Sequence, residues 1–373
     1  MNNKKNIIFF LSSLDNGGLE NYLLRFLKVY HYKFDAIYIW CKKNKGGILE
    51  DEYLLLPNIK IIEYSLGHFN IFRYKKLKSF IRKNKINVVC DFTGSFAGII
   101  MLVSKQEGVK ERVVFYRNSR DKFKPNFTRL LYRKLIQKFT ENSSTKILSN
   151  SISALEYFYP KRSERDEKFK VIYNGIDPTE FEIDVNKEKL LSQLNIPKKA
   201  FIIGHVGRFN SQKNHFTILK VVNELLKKHK DIYVIFCGKD VENELPRLIQ
   251  KVNPRLVENL RVLGNRNDVN KLLQIMSIFF FPSTIEGQPN ALIEAMISGI
   301  PIVSSNINSI KETTPRTMHP YLKNPLDIGG YTKLIEDIYE SKEFATNFIF
   351  IEWAKQKFQH EKHFKEFYNE IKV

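Results

Sequence analysis

The stretch Phe279 to Ser304, FFFPSTIEGQPNALIEAMISGIPIVS, limits the choice of fold more than any other part of the chain. An apolar run ends at Pro282, a polar loop carries Glu286 and Gly287, Pro289 and Asn290 open a helical pattern, and Gly299 closes it before a second apolar run. Proline suits the first helical position, where its missing donor would be unsatisfied in any case. The stretch reads as strand, loop, helix and strand.

Glu286 and Glu294 lie eight residues apart, which on one unbroken helix would set them about 80° apart around the axis. Pro289 separates them, placing Glu286 in the loop and Glu294 in the first turns of the helix. The first-turn amides and the positive end of that helix face the loop, a ready site for a phosphate or another anion. One carboxylate then stands beside a phosphate site and a second at the bottom of the same pocket.

These residues resemble the signature of the retaining, nucleotide-sugar-dependent glycosyltransferases of the GT-B fold, in their large family four. That signature is a Glu, seven residues and a second Glu, with Pro-Ser before and small-Gly-x-Pro after, and Glu286 and Glu294 match it in EGQPNALIEAMISGIPIVSS. The resemblance implies an α/β chain of two Rossmann-like domains whose parallel sheets face a central cleft. It places Glu286 by the donor sugar and diphosphate, Gly287, Gln288, Pro289 and Asn290 around the donor, and Glu294 on the ribose hydroxyls.

A chain of 373 residues with 43% hydrophobic content can bury a large core and is expected to form two domains. They are read as residues 1–175 on the acceptor side and 176–345 on the nucleotide-sugar side, with 346–373 as a C-terminal helix crossing back to the first. No apolar run approaches the roughly 20 residues needed to span a bilayer. MNNKKNIIFFLSS has lysines before a short apolar run and is read as the first core strand rather than a signal peptide. Cys41, Cys90 and Cys237 are scattered in strand-like runs and fit packed, reduced thiols in a cytoplasm. The net charge of +20 implies an anionic partner, for which nucleic acid, anionic lipid and phosphorylated substrates all qualify; abundant Lys, Asn and Ile also point to genome composition.

From the start, Asn6 to Leu11 is a strand pattern, Asp15-Asn16-Gly17-Gly18 a turn, and Leu19, Tyr22, Leu23, Phe26, Leu27 and Tyr30 recur at helical spacing. A Gly-Gly turn alone is more often a tight connection, but GGLE at Gly17 to Glu20 resembles the family's Gly-Gly-x-Glu, whose backbone amides lie near the donor diphosphate and acceptor. Strand patterns follow at Phe34 to Trp40, Ile59 to Tyr64, Ile86 to Cys90, Glu111 to Tyr116 and Lys146 to Ser149, separated by helix-length stretches. That alternation argues for a parallel sheet covered by helices on both faces, with ligands at the carboxyl ends of its strands.

Many family members carry a histidine after the third or fourth of those patterns. Here the third runs into Cys90, Asp91, Phe92 and Thr93, and the fourth into Tyr116, Arg117, Asn118 and Ser119. The change reads as altered substrate preference, which makes Asp91, Arg117 and Asn118 candidate acceptor or sugar contacts; solvated loop polars are the plain alternative. Two segments, Arg73 to Lys85 and Lys122 to Lys138, are basic and without acid, with Tyr74, Leu77, Phe80 and Ile81 on one apolar face and Phe127, Leu130, Leu131, Leu135 and Ile136 on the other. Such helices either lie in the headgroup region of an anionic membrane or pack their apolar stripe on the sheet.

Asn174-Gly175-Ile176-Asp177 is a turn signal and resembles the family's connection into the second domain. Glu182 to Lys199 is charged and suits a linker. Phe201 to Val206 then reads as a strand leading into Gly207, Arg208, a polar loop, Lys213 and Asn214 before an amphipathic helix. Arg and Lys across such a loop can clamp a diphosphate, the one by forked donors and the other as a point charge, and Arg208 and Lys213 match the family's phosphate ligands. Strands at Tyr233 to Cys237, Leu260 to Leu263 and Ile278 to Phe281 complete a second sheet, with Gly238 and Asn265 to Asp268 where the family holds the base. His205 is read as packed in its strand, and the pattern Phe344 to Ile371 as the C-terminal helix.

The implied reaction is glycosyl transfer with retention from a nucleoside diphosphate sugar, expected to be UDP-linked, to a glycan or polyprenyl-diphosphate-linked acceptor. Arg208 and Lys213 would stabilise the leaving diphosphate, Glu286 would steer the sugar, and no metal or other cofactor is expected. The expected setting is the cytoplasmic face of the membrane, as a peripheral enzyme. A catalytically silent or nucleic-acid-binding and anion-binding protein on the same scaffold is the alternative; against nucleic acid stands the lack of a recognition motif.

Overall fold

The computed structural model of the chain describes residues 5–15, 17–67, 70–117, 127–162 and 166–372. Among these residues the chain divides into two units, one formed by residues up to Gly175 together with those from His360 onward, the other by Ile176–Gln359.

In the first unit, β1 (Lys5–Leu11), β2 (Phe34–Cys41), β3 (Ile59–Glu63), β4 (Ile86–Asp91), β5 (Glu111–Tyr116), β6 (Lys146–Ser149) and β7 (Phe169–Val171) form a parallel sheet in the order β3-β2-β1-β4-β5-β6-β7. A parallel sheet is covered on both faces, so its strands read as unbroken apolar runs. In β1, Ile7, Phe9 and Leu11 enter one core and Ile8 and Phe10 the other, as the twofold alternation of a strand requires. The first core takes Tyr22, Leu23, Phe26 and Leu27 from the helix Gly18–Tyr30, and Phe364, Phe367 and Ile371 from the last helix, His360–Ile371. The second takes Tyr74, Leu77 and Ile81 from the helix Ile71–Lys83, and Ile100, Met101 and Val103 from the helix Gly98–Gln106. The apolar stripe of the first basic segment is therefore packed on the sheet, and its polar and basic side stays exposed together with Ile71 and Phe72, which open the helix ahead of it.

In the second unit, β8 (Phe201–Val206), β9 (Ile232–Cys237), β10 (Leu260–Val262), β11 (Ile278–Phe281) and β12 (Ile302–Ser304) form a parallel sheet in the order β10-β9-β8-β11-β12. In each sheet the order reverses once, between β1 and β4 and between β8 and β11. At such a reversal the loops leaving two neighbouring strands diverge to opposite faces, opening a crevice at their carboxyl ends.

Three elements differ from the sequence reading. The stretch expected as one C-terminal helix over 346–373 is three helices, Lys342–Thr346, Ile351–Lys357 and His360–Ile371. The breaks have a cause: the Phe348 carbonyl accepts from the Ile302 amide at 3.1 Å, the Phe358 carbonyl accepts from the Ile176 amide at 3.0 Å, and both rings are fully buried. The stretch read as a linker holds a helix, Lys187–Gln193, that buries Leu190 and Leu191. Pro289 caps its helix from outside, so the helix runs Asn290–Ile297 and not from Pro289.

Asp91, expected as an acceptor or sugar contact, is instead wholly buried at the end of β4. One carboxylate oxygen accepts from Lys42 Nζ at 3.2 Å, and the other from the Thr93 amide at 2.6 Å and its hydroxyl at 2.5 Å. The carboxylate pins the turn after β4 to β2, and its burial keeps it from solvent. Removing one partner of a buried pair leaves the other charge uncompensated. Lys42→Met is expected to lower stability by about 3–5 kcal/mol in urea unfolding.

His205 in β8 is fully buried and donates Nδ1–H to the Phe280 carbonyl at 2.9 Å, while His215, the first residue of the helix His215–Lys228, meets it edge-on at 4.9 Å between ring centroids. Burial, followed by the neighbouring Lys213 charge, lowers the His215 pKa to about 4, and burial holds His205 well below its usual value. The unfolded chain binds more protons than the folded one below about pH 6.5, so the stability these neutral rings contribute is present above that pH and is lost as the pH falls towards 4. The urea midpoint of the second unit, read at Trp353, is expected to fall between pH 7 and pH 5, with a shallower fall in His215→Gln.

Candidate active site

The reversal between β8 and β11 puts two loops side by side. The loop after β8 runs through Gly207 and Arg208 to a short turn, Ser211–Lys213, capped by Asn210, whose side-chain oxygen accepts from the Lys213 amide at 3.0 Å. The loop after β11 carries Glu286. Lys213 Nζ donates to Glu286 Oε1 at 2.7 Å, and the ammonium lies 4.5 Å from the centre of the Phe281 ring. Both side chains are mostly buried, 17% and 11% exposed, so the pair is screened less than a surface pair would be.

Glycine is needed where the strand ends crowd. Gly238, after β9, sits at φ 150°, and a Cβ there would lie 2.2 Å from the Gly207 carbonyl oxygen. The site wall is thus backbone against backbone. A Cβ on Gly207 would stand 3.1 Å from the Lys213 side chain, so a side chain at that position would push the lysine aside. Arg208 is exposed and has no ion-pair partner among the described residues.

The carboxylate loop is tied to the lysine loop, with the Gln212 carbonyl accepting from the Thr284 amide at 2.8 Å and its hydroxyl at 3.3 Å. Beyond Glu286 and Gly287, Gln288 and Pro289 are buried, and the carbonyl of Pro289 takes the first helical bonds, from Leu292 at 3.1 Å and Ile293 at 3.2 Å. Glu294 is the fifth residue of the helix and partly exposed. The loop after β10 carries Arg266 paired in a fork with Asp268, at 2.7 and 2.6 Å, and the guanidinium holds that carboxyl below its usual range.

In the first unit, Gly17 stands just before the helix Gly18–Tyr30, and its carbonyl accepts from the Asn21 amide and side chain, each at 3.0 Å. Arg117, at the end of β5, is not a solvated loop residue. Its guanidinium lies 3.9 Å over the Tyr22 ring, and burial lowers its pKa to about 10, leaving it charged at neutral pH. Asn118 lies outside the described residues.

The second unit therefore brings Gly207, Lys213, Glu286, Gly287, Gln288 and Pro289 together on the loops of two adjacent strands. Thr284 and Asn214 are structural parts of this arrangement that the sequence reading gave no role. Their hydrogen bonds run to backbone carbonyls distant in sequence, which leave no local pattern.

Comparison with known proteins covers both units. The family model "Glycosyltransferase Family 4" matches residues 16–180, and "Glycosyl transferases group 1" matches residues 186–351. The chain is 28% identical over 374 residues to the capsular polysaccharide biosynthesis glycosyltransferase CapH of Staphylococcus aureus, covering 90% of this chain and 99% of that one. It is 26% identical, over 80% of each chain, to a Campylobacter jejuni enzyme named N-acetylgalactosamine-N,N'-diacetylbacillosaminyl-diphospho-undecaprenol 4-alpha-N-acetylgalactosaminyltransferase. The crystal structure of Anabaena Alr3699/HepE in complex with UDP shares its fold with a TM-score of 0.76 at 18% identity, over 98% of both chains. With one family model on each half of the molecule and the fold shared end to end, the chain belongs to the GT-B glycosyltransferases of family four.

Proposed function

We propose that this glycosyltransferase moves a sugar, with retention at the anomeric carbon, from a UDP-sugar to a lipid-diphosphate-linked oligosaccharide in the synthesis of a surface polysaccharide. The observation that carries the donor half is the Lys213–Glu286 pair at 2.7 Å, placed at the reversal point of the second sheet with the start of the helix Asn290–Ile297 beside it. A lysine held there meets the negative charge that grows on the diphosphate as the sugar leaves. Arg208 adds a forked donor set. The C1–phosphate bond breaks with its electron pair on the diphosphate, the acceptor oxygen bonds to C1 on the same face, and the acceptor proton passes to the departing phosphate oxygen. Glu286 orients the sugar through its hydroxyls and pairs with Lys213, and Glu294 accepts from the ribose. Arg117, a charged group held on Tyr22, is the first-unit residue assigned to the acceptor.

The acceptor half is supported by the names of the relatives, one of which acts on an undecaprenyl-diphosphate-linked substrate. It is supported also by surface chemistry. No helix among the described residues is long and apolar enough to cross a membrane. The helices Ile71–Lys83 and Phe127–Ser143 both pack beside Gly98–Gln106. One exposes Ile71 and Phe72 (75%) among Lys75, Lys76, Arg82 and Lys83, and the other Leu131 (63%) and Leu135 among Lys134 and Lys138. Lysine and arginine draw such a face to anionic headgroups, and a few apolar side chains then insert.

Two measurements check these halves separately. In calorimetric titration with UDP, GDP, ADP and uridine, wild type is expected to bind UDP best. Glu294→Ala should weaken UDP and uridine alike, by roughly tenfold or more, whereas Lys213→Ala should weaken UDP and spare uridine. Absence of binding to every nucleotide would sink the donor assignment. In sedimentation with phosphatidylcholine vesicles made anionic with roughly a third of phosphatidylglycerol, the protein is expected to co-sediment in a salt-sensitive way, with less bound for Phe72→Ser combined with Leu131→Ser. Equal binding to pure phosphatidylcholine, or none to either, would remove the membrane surface from the proposal.

A further inference from the structure

Asn214, next to Lys213, has a left-handed backbone, φ 58° and ψ 42°, and is 9% exposed. Its side chain uses both ends. Nδ2 donates to the Pro282 carbonyl at 3.0 Å and to the Pro325 carbonyl at 2.7 Å, while Oδ1 accepts from the Thr217 hydroxyl at 3.0 Å. Pro282 opens the loop that carries Glu286, and Pro325 belongs to a third segment, next to Lys323, which bridges to Ser305 just after β12. On the other side of Lys213, the Gln212 carbonyl holds the Thr284 amide and hydroxyl. The lysine is therefore fastened to the carboxylate loop through the residue before it and the residue after it.

We propose that Asn214 is a positioning residue for the donor site: it fixes the origin and direction of the Lys213 side chain so that the ammonium meets both Glu286 and the donor diphosphate. The inference rests on the reading of Lys213 as a phosphate ligand. A lysine stem is long and flexible, so the place of its charge depends on where its backbone stands. Asparagine meets three demands at once. It tolerates the left-handed conformation, its amide has the two donors that two carbonyls need, and it is short enough to hold them beside its own backbone. Glycine would meet the first demand only.

The test is calorimetric titration of the full chain with UDP and with uridine, for wild type, Asn214→Gly, Lys213→Ala and the double variant. Asn214→Gly keeps the left-handed backbone without strain and removes the ties. It is expected to weaken UDP binding by roughly tenfold and to leave uridine unchanged, and the loss should vanish in the Lys213→Ala background because it acts through that lysine. If Asn214→Gly does not fold, Asn214→Asp, which keeps the size and the bond from Thr217 but turns an acceptor towards two carbonyls, is measured in its place with the same expectation. An equal loss for UDP and uridine, or a loss that persists beside Lys213→Ala, would overturn the proposal in favour of a purely structural asparagine. Should Lys213→Ala weaken UDP while Asn214→Gly binds as wild type, the positioning role alone fails. Should Lys213→Ala bind UDP as wild type does, the reading of the lysine fails and the inference falls with it.

Discussion

The second unit depends on one adjacency: β11 lies against β8, not beside β10, which precedes it in sequence. The parallel pairing of Ile278 with Ile203 and Phe279 with Gly204 sends the chains after Phe281 and Val206 out of the same sheet edge side by side. Lys213 and Glu286 are separated by more than seventy positions in the chain, yet they meet because their strands do. The glycine at 238 and the bond from Thr284 to Gln212 only refine an encounter that the strand order has already arranged. Because Glu286 balances it, Lys213 is not an isolated buried cation, which would be costly.

Much of this was legible in the sequence, for physical reasons that differ from element to element. The strands stood out because a sheet covered on both faces needs unbroken apolar runs, and Glu111–Tyr116 and Lys146–Ser149 coincide with their patterns. The Glu286 loop stood out because proline and glycine punctuate it. The terminal stretch did not, since Phe348 and Phe358 fit a helical apolar rhythm equally well; what stops the helices there is the pairing of their carbonyls with Ile302 and Ile176, far away in the chain. Asp91 misled for a related reason. A polar residue after a strand looks like a ligand until Lys42, 49 positions distant, is seen to claim it.

The basic surface shows how a pattern can be read correctly and its use still depend on structure. The spacing of Tyr74, Leu77 and Ile81 does mark an amphipathic helix, and the stripe is buried in the first unit's core. What stays at the surface is the remainder: lysines and arginines with Ile71 and Phe72 at the start of one helix, and Leu131 and Leu135 on another. With the stripe buried, the helix has no apolar face left for the deep insertion of a helix lying in a bilayer surface.

The helix His360–Ile371 belongs to the unit that begins the chain. Phe364 and Phe367 press on Tyr22 and Phe26 with ring centroids 4.7–6.0 Å apart, and a Cβ on Gly175 would strike the His360 backbone at 2.5 Å. During synthesis the amino-terminal unit therefore emerges first but cannot close its core until residues 360–371 have also emerged. The second unit, continuous from Ile176 to Gln359, is complete before it. The usual order of vectorial folding, amino-terminal domain first, is inverted here, and a chain stalled before residue 360 would present a finished second unit while the first keeps an open aromatic core.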